Sequence, residues 1–225
     1  DVYKRQPQGV LTLFPPLPPD LSEKELIALF QGAMGYPIRV FSASAHSWEE
    51  YEQLIHRLGE ALPAQKKALR WLDHVRKRKE RLLTRSRTIQ HRQTIACLQP
   101  NGLPQLIGEW ADILADFAGL SPLSAQTKTL PWEDLLKADP DIVVITLQGK
   151  NLSTTGEAVA AWARLPQVQG LSAFRKKKLY ALQGTTGIFY PSPYTIYTAE
   201  ALYELAYTPT YRYNRHIGRI WAPLL

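Results

Sequence analysis

Three short segments concentrate the side chains able to hold a ligand: Gln99–Asn101, Gln148–Asn151 and the run TTGIFYPSP at 185–193. Each follows a stretch that reads as a strand, so each is expected beyond a strand's carboxyl end, where α/β sheets bind ligands. Asn101, Gln148, Gly149, Phe189 and Tyr190 are the candidate ligand-binding residues, with Trp110 a turn into the helix that follows the first segment. Amides beside aromatics suit a flat, conjugated ligand held by stacking and a few hydrogen bonds. Phe189 and Tyr190 lie in a Gly/Pro-rich loop, where a core role does not explain them. Trp110 stands at helical spacing from Ile107, Ile113 and Leu114, so ligand contact and core packing fit it equally.

Covalent chemistry is not signalled. The sequence has no G-x-S-x-G, no P-loop and no G-x-G-x-x-G. Gly149-Lys150 lacks the upstream glycine of a P-loop, and the Gly184–Gly187 turn alone does not specify phosphate. The five histidines (46, 56, 74, 91 and 216) are scattered, and none is spaced as a metal ligand from another His, Cys or carboxylate. The single cysteine, Cys97, excludes a disulfide framework and sits in a strand pattern, where it acts as a small buried hydrophobe. No catalytic residue and no metal site is expected.

The elements that position these segments alternate. Gln93–Gln99, Asp141–Thr146 and Lys177–Gln183 read as strands, the second a continuous β-branched run suited to a parallel sheet covered on both faces. Helices are expected over Leu106–Ala118, Trp132–Ala138, Gly156–Leu165, Gln167–Phe174 and Tyr194–Ala206, with an irregular loop over Gly184–Pro193. Upstream, Gly9–Phe14 and Tyr36–Ala43 read as strands, separated by the proline-rich connector Pro15–Asp20 and a helix over Leu21–Phe30. Ser22 with Glu25 forms a capping-box pattern there, and Gly32 and Gly35 end the helix. A second helix runs over Ser47–Leu58 with Ser47 at its cap.

The chain of 225 residues carries a net charge of +7, and this basicity is local. Residues 66–92 hold eleven Lys/Arg against Asp73 and Glu80, a net +9 that leaves the rest at −2. From about Glu60 to Arg87 the sequence reads as one long helix. Its thin apolar stripe is Ala68, Leu69, Trp71, Leu72, Val75, Leu82 and Leu83. With Trp71 its only aromatic, it offers no stacking platform for single strands, and no zinc-finger, helix-turn-helix or RNP pattern accompanies it. The fold class is therefore α/β, two Rossmann-like lobes joined by one long α-helix.

Several stretches, in order, resemble class III periplasmic binding proteins, which serve ABC importers of cobalamin, haem and iron–siderophores. They are PIRVFSASAHSWEEYEQLIHRLGEAL (37–62), LQPNGLPQLIGEWADILADFAGL (98–120), LPWEDLLKADPDIVVIT (130–146), LPQVQGLSAFRKKKLYAL (165–182) and YPSPYTIYTAEALYELAY (190–207). The cobalamin-binding branch is most similar, through Gly108-Glu109-Trp110, Trp132-Glu133 with Pro140-Asp141, Leu165-Pro166-Gln167-Val168 and Pro191-Ser192-Pro193. Leu120 stands where that branch has a second glycine, Ser192 where it usually has Gly, and the tail 207–225 is longer than expected.

The resemblance implies a solute-binding component that makes and breaks no bond. It would capture a corrinoid or other metal chelate between its lobes outside the cytoplasmic membrane, with no resident cofactor. The partners implied are an ABC permease and its ATPase. Glu25 and Glu157 would be the carboxylates that dock on the permease, Glu157 at the start of its helix. A monomer is expected, bound to no nucleic acid, meeting the membrane only through the permease or a lipid anchor. The family's complete N-lobe exceeds what precedes Pro37, and Asp1–Gln6 (DVYKRQ) matches the translation of a transposon-end sequencing adapter. The expected organisation is thus an artefact over 1–6, the remnant of an incomplete N-terminal lobe over 7–58, a connecting basic helix over 59–92 and a C-terminal α/β lobe over 93–225. A haem- or siderophore-binding protein of the same fold is the nearest alternative. A nucleic-acid-binding protein using helix 66–92, and an enzyme with a nucleophile–base pair that this sequence does not display, are the others.

Overall fold

The computed structural model describes residues 22–34, 45–62, 64–123, 128–208 and 215–223. The expected strands Gly9–Phe14 and Tyr36–Ala43 and the connector Pro15–Asp20 lie outside them. The chain divides into two compact units, Asp1–Leu69 and Arg70–Leu225.

In the first unit, α1 (Glu23–Met34) opens with the expected capping box. Glu25 N–H donates to Ser22 Oγ (3.3 Å) and Ser22 N–H donates back to Glu25 Oε2 (2.8 Å). Gly32 does not end the helix, which runs two residues further to Met34. Helix α2 (Trp48–Ala61) starts where Ser47 Oγ accepts from Glu50 N–H, and it buries Trp48, Tyr51 and Leu54. Gly59 is required by packing, since a Cβ there would lie 2.4 Å from Ala68 Cβ.

The long helix starts later than expected. Leu62, the residue before Pro63, turns extended (φ −101°, ψ 148°), because proline disfavours helical geometry in its predecessor. Helix α3 (Gln65–Ser86) therefore begins after this break. Only Leu72, Val75 and Leu82 of the expected stripe are buried, while Leu69 is exposed.

The second unit is built on one sheet. Strands β1 (Thr94–Asn101), β5 (Ile142–Thr146) and β6 (Leu179–Leu182) are parallel neighbours in that order. One edge carries β2 (Leu103–Leu106) and β4 (Lys128–Thr129), both antiparallel, and β3 (Ser121–Pro122) pairs with the start of β1. Alternate side chains Ala96, Leu98, Val143, Ile145, Leu179 and Ala181 face one layer of helices. That layer is α5 (Trp132–Ala138), α6 (Leu152–Trp162), α7 (Pro166–Gln169) and α8 (Ser172–Arg175). The intervening residues Ile95, Cys97, Ile142 and Val144 are also buried and point the other way, towards the layer of α4 (Trp110–Phe117) and α9 (Thr195–Tyr207).

Three expectations need correction here. Residues 103–106 are strand β2, where a loop over Pro100–Pro104 with an Asn101-Gly102 turn and a helix from Leu106 were expected, because Asn101-Gly102 closes a tight hairpin with Gly102 at φ +72°. Helix α4 consequently starts at Trp110. Helix α6 starts at Leu152, not Gly156, since Asn151 Oδ1 accepts from Thr154 N–H (2.9 Å) and caps it. The expected helix over Gln167–Phe174 is two short ones, α7 and α8.

The tail, longer than the resembled family's, supplies an edge strand. β7 (Trp221–Pro223) pairs antiparallel with β6, and Trp221 meets Tyr180 edge-on at 5.5 Å. Two glutamates one turn apart on α9 hold this segment. Glu204 accepts from the backbone N–H groups of Arg215 (2.9 Å) and His216 (3.0 Å) and from Trp221 Nε1 (3.3 Å). Glu200 accepts from Arg78 Nε at 3.0 Å and lies 3.0 Å from His216 Nε2. Burial alone would raise the Glu200 carboxyl, but hydrogen bonds from His216 and Arg78 outweigh it and hold it below the usual range.

Trp221 is fully buried. Trp221→Ala is expected to cost about 3–5 kcal/mol in a denaturant titration, the usual loss for a truncated core tryptophan. A cost under 1 kcal/mol would show that the edge strand is dispensable.

Candidate functional site

The parallel strands β1, β5 and β6 end at the same side of the sheet, so the three segments singled out above share one rim. Asn101 lies three residues past the last pairing of β1 with β5, at the tip of the β1–β2 hairpin. It therefore stands about 10 Å beyond the body of the sheet at roughly 3.3 Å per residue. Gln148, Gly149 and Lys150 are exposed on the turn after β5, with Gly149 at φ +71°.

The loops after β5 and β6 are stitched together. Gly184 N–H donates to Lys150 O (2.9 Å) and Gly149 N–H donates to Gly184 O (3.3 Å). A Cβ at Gly184 would lie 1.7 Å from Leu147 O, so no other residue fits this crossing.

The loop 184–194 is held from below. Ile188 is fully buried, Thr186 Oγ1 donates to Gln183 O (2.7 Å), and Thr198 Oγ1 donates to Thr186 O. Ser192 N–H donates to Thr195 Oγ1 (2.7 Å), and Ser192 Oγ accepts from Tyr194 N–H (3.1 Å). Serine at this position, a departure from the resembled pattern, thus has a structural use. Gly187 at φ +84° packs so tightly that a Cβ would meet Thr195 Oγ1 at 2.5 Å and Ser192 Oγ at 2.6 Å. This frame presents Phe189 half-buried, with Tyr190 and Tyr194 41% and 57% exposed.

Trp110 stands apart from this group. It is only 2% exposed at the first position of α4, which places it in the core and not on the rim. Tyr194 belongs with the rim instead. The sequence pattern assigned it to the final helix, yet it precedes the first helical residue, as Pro193 before it could have signalled. Leu120, the other departure, fills a core position, while Gly119 before it keeps the left-handed φ of +73° that the end of α4 requires.

The two candidate docking carboxylates are exposed. Glu25 is engaged in its own helix cap, which holds its carboxyl below the usual range through hydrogen bonds from the Ser22 backbone and hydroxyl. Glu157 is the sixth residue of α6, so it lies beyond the first turn and gains little from the helix dipole, contrary to the expectation that it starts the helix.

Helix α4 also carries a half-buried acid, Asp112. Burial pushes the Asp112 carboxyl up to about 6, and its Oδ2 has no hydrogen-bond partner among the described residues. Burial, with Asp112 nearby, also pushes the Cys97 thiol up to about 12, so this cysteine is an inert core residue. Among the described residues no three His, Cys, Asp or Glu come together as metal ligands, and no helix is long and apolar enough to cross a membrane.

Comparison with known proteins gives the arrangement a context. A family model described as periplasmic binding protein matches residues 35–186. No curated protein matches the sequence. Among solved structures, an ABC transporter substrate-binding protein from Listeria monocytogenes is 15% identical with a TM-score of 0.70, covering 89% of this chain and 77% of its own. A periplasmic heme-binding protein from Pseudomonas aeruginosa is 19% identical with a TM-score of 0.68, covering 90% and 73%. A structure titled as an ABC-type Fe3+-hydroxamate transport system from Saccharomonospora viridis is 20% identical with a TM-score of 0.65, covering 91% and 70%. At these identities the likeness concerns the fold.

Two outcomes follow from the local geometry. Gly184→Ala is expected to force the two loops apart, seen as rapid amide exchange at Gly149 and Gly184 and a lower melting temperature. An unchanged exchange pattern would refute the stitch. Asp112 binds its proton more tightly folded than unfolded, so it favours the fold at low pH and that contribution is lost as pH rises from about 4 through 6. Asp112→Asn is therefore expected to raise the melting temperature at pH 8 and to change it little at pH 4; an equal effect at both would exclude the buried acid as cause.

Proposed function

The chain belongs to the periplasmic binding protein family, and we propose that it is the extracytoplasmic component of an ABC importer that captures a corrinoid-like ligand. The observation that carries this reading is the chemistry of the rim. Residues 99–103, 147–151 and 183–194 contain a single charged residue, Lys150, among amides, hydroxyls and the rings of Phe189, Tyr190 and Tyr194. A corrinoid presents a broad conjugated face edged by neutral amide side chains. Stacking on the tyrosines and hydrogen bonds to Asn101 and Gln148 would match both features. A ligand edged by carboxylates would call for more cations than Lys150.

Capture is binding and release, with no bond made or broken. The ligand would pass to a permease driven by its ATPase, docked through exposed carboxylates of which Glu157 and Glu25 are the candidates. Haem is the second reading. Two exposed phenol oxygens, on Tyr190 and Tyr194, are suited to a ferric centre, and a solved structure of similar fold is titled as heme-binding.

Calorimetric titration with cobalamin and spectral titration with haem separate the two. Cobalamin binding weakened at least about tenfold by Tyr190→Ala, which is about 1.4 kcal/mol, supports the corrinoid reading. Haem binding with a shifted Soret band, and none to cobalamin, would move the assignment to haem. Binding of neither, nor of a ferric siderophore, would overturn it.

A further inference from the structure

The outer face of α3 carries charge that ligand capture does not use. Within the second unit, Arg70, Arg76, Lys77, Arg81, Arg85 and Arg87 are all exposed. At about 100° per residue, Arg70, Lys77, Arg81 and Arg85 fall within about 80° of the helix circumference. They form a straight ridge about 22 Å long at 1.5 Å per residue. The centre of the ridge lies roughly 130° around the helix from that of the buried Leu72, Val75 and Leu82, so the packing of the helix fixes which way it points.

Asp73 pairs with Lys77 at 2.7 Å, and Glu80 is the other acid of this stretch. The inward cations are already engaged: Arg78 with Glu200 and over the Tyr197 ring (4.4 Å), and Lys79 over the Phe117 ring (4.7 Å). Arginines held inward by carboxylates and rings are structural. Those on the ridge are exposed to solvent.

The geometry points to adsorption of this ridge on the anionic phosphate surface of a lipid bilayer. A straight, convex line of long cationic side chains fits a plane of phosphates. It bears no exposed apolar residue to insert, so the contact is electrostatic. A single-stranded nucleic acid fits less well, because Trp71 is half-buried and stacked on His74 (5.6 Å), so its indole is not open to a base. The family membership gives the setting, since delivery to a permease takes place at a membrane. Adsorption would keep the loaded protein near that surface and narrow the search for its transporter.

The test is co-sedimentation of the whole chain, without ligand, with vesicles of phosphatidylglycerol in phosphatidylcholine. Its outcome therefore does not depend on which ligand the rim takes. Each cation near an anionic surface multiplies partitioning about fivefold. Binding is expected to rise with phosphatidylglycerol content and to vanish at about 0.5 M salt, where the Debye length is only a few Å. Lys77→Glu, Arg81→Glu and Arg85→Glu together are expected to reduce it more than tenfold, with the melting temperature kept as a control of folding. The salt titration of the unmodified chain decides the matter if that variant does not fold. Equal binding to pure phosphatidylcholine, no binding to either, or a triple variant that binds like its parent would overturn the proposal. Duplex DNA that displaces the protein from vesicles at lower phosphate concentration would reassign the ridge to nucleic acid.

Discussion

Strand β5 is buried along its whole length, from Ile142 to Thr146, and the rest of the second unit is arranged to keep it so. Both of its edges must find hydrogen-bonding partners, which β1 and β6 supply in parallel register. Parallel neighbours can be joined only by crossovers, so each connection carries helices onto a face of the sheet. The same burial that makes β5 a run of β-branched residues thereby dictates helices on both sides. It also brings the strand ends to a common rim.

Helix α9 ties that rim to the far edge of the sheet. At its start, Thr195 and Thr198 bond to the loop carrying Phe189 and Tyr190. Further along, Glu200 gathers Arg78 of α3 and His216, and Glu204 gathers the backbone leading to β7. A half-buried carboxylate is costly unless its lone pairs are filled, and removal of one partner leaves the other charge stranded. These glutamates therefore make α3, α9 and the tail one polar assembly.

What the sequence could and could not show follows from the range of the forces involved. The strands 94–101, 142–146 and 179–182 and the caps at Ser22 and Ser47 were legible, because alternation and capping are local. So was the confinement of charge to one helix. The hairpin after Asn101 was not, because the four residues 103–106 are too short a run to tell strand from loop or helix start. The cap at Asn151 was local too, but was read as a ligand loop. β7 was illegible for a different reason: three residues carry no periodicity, and their place depends on a glutamate seventeen positions away. At the rim, the exposed Gln148, Gly149 and Tyr190 were where the loop chemistry put them, whereas Trp110 needed knowledge of what packs around it.

The burial of Trp110 removes it from the candidate rim. With that ring in the core, the aromatic groups at the rim all come from one loop, at Phe189, Tyr190 and Tyr194. That loop keeps its shape through Gly184 and Gly187, at both of which a Cβ would collide with neighbouring atoms. Side chains on such a frame can be exchanged without moving the backbone, whereas a change at either glycine alters the frame itself. Substitution at the exposed 190 and 194 thus leaves the frame intact, whereas a side chain at 184 or 187 collides with it. The three rings of this loop are accordingly held in place by the two positions that have no side chain.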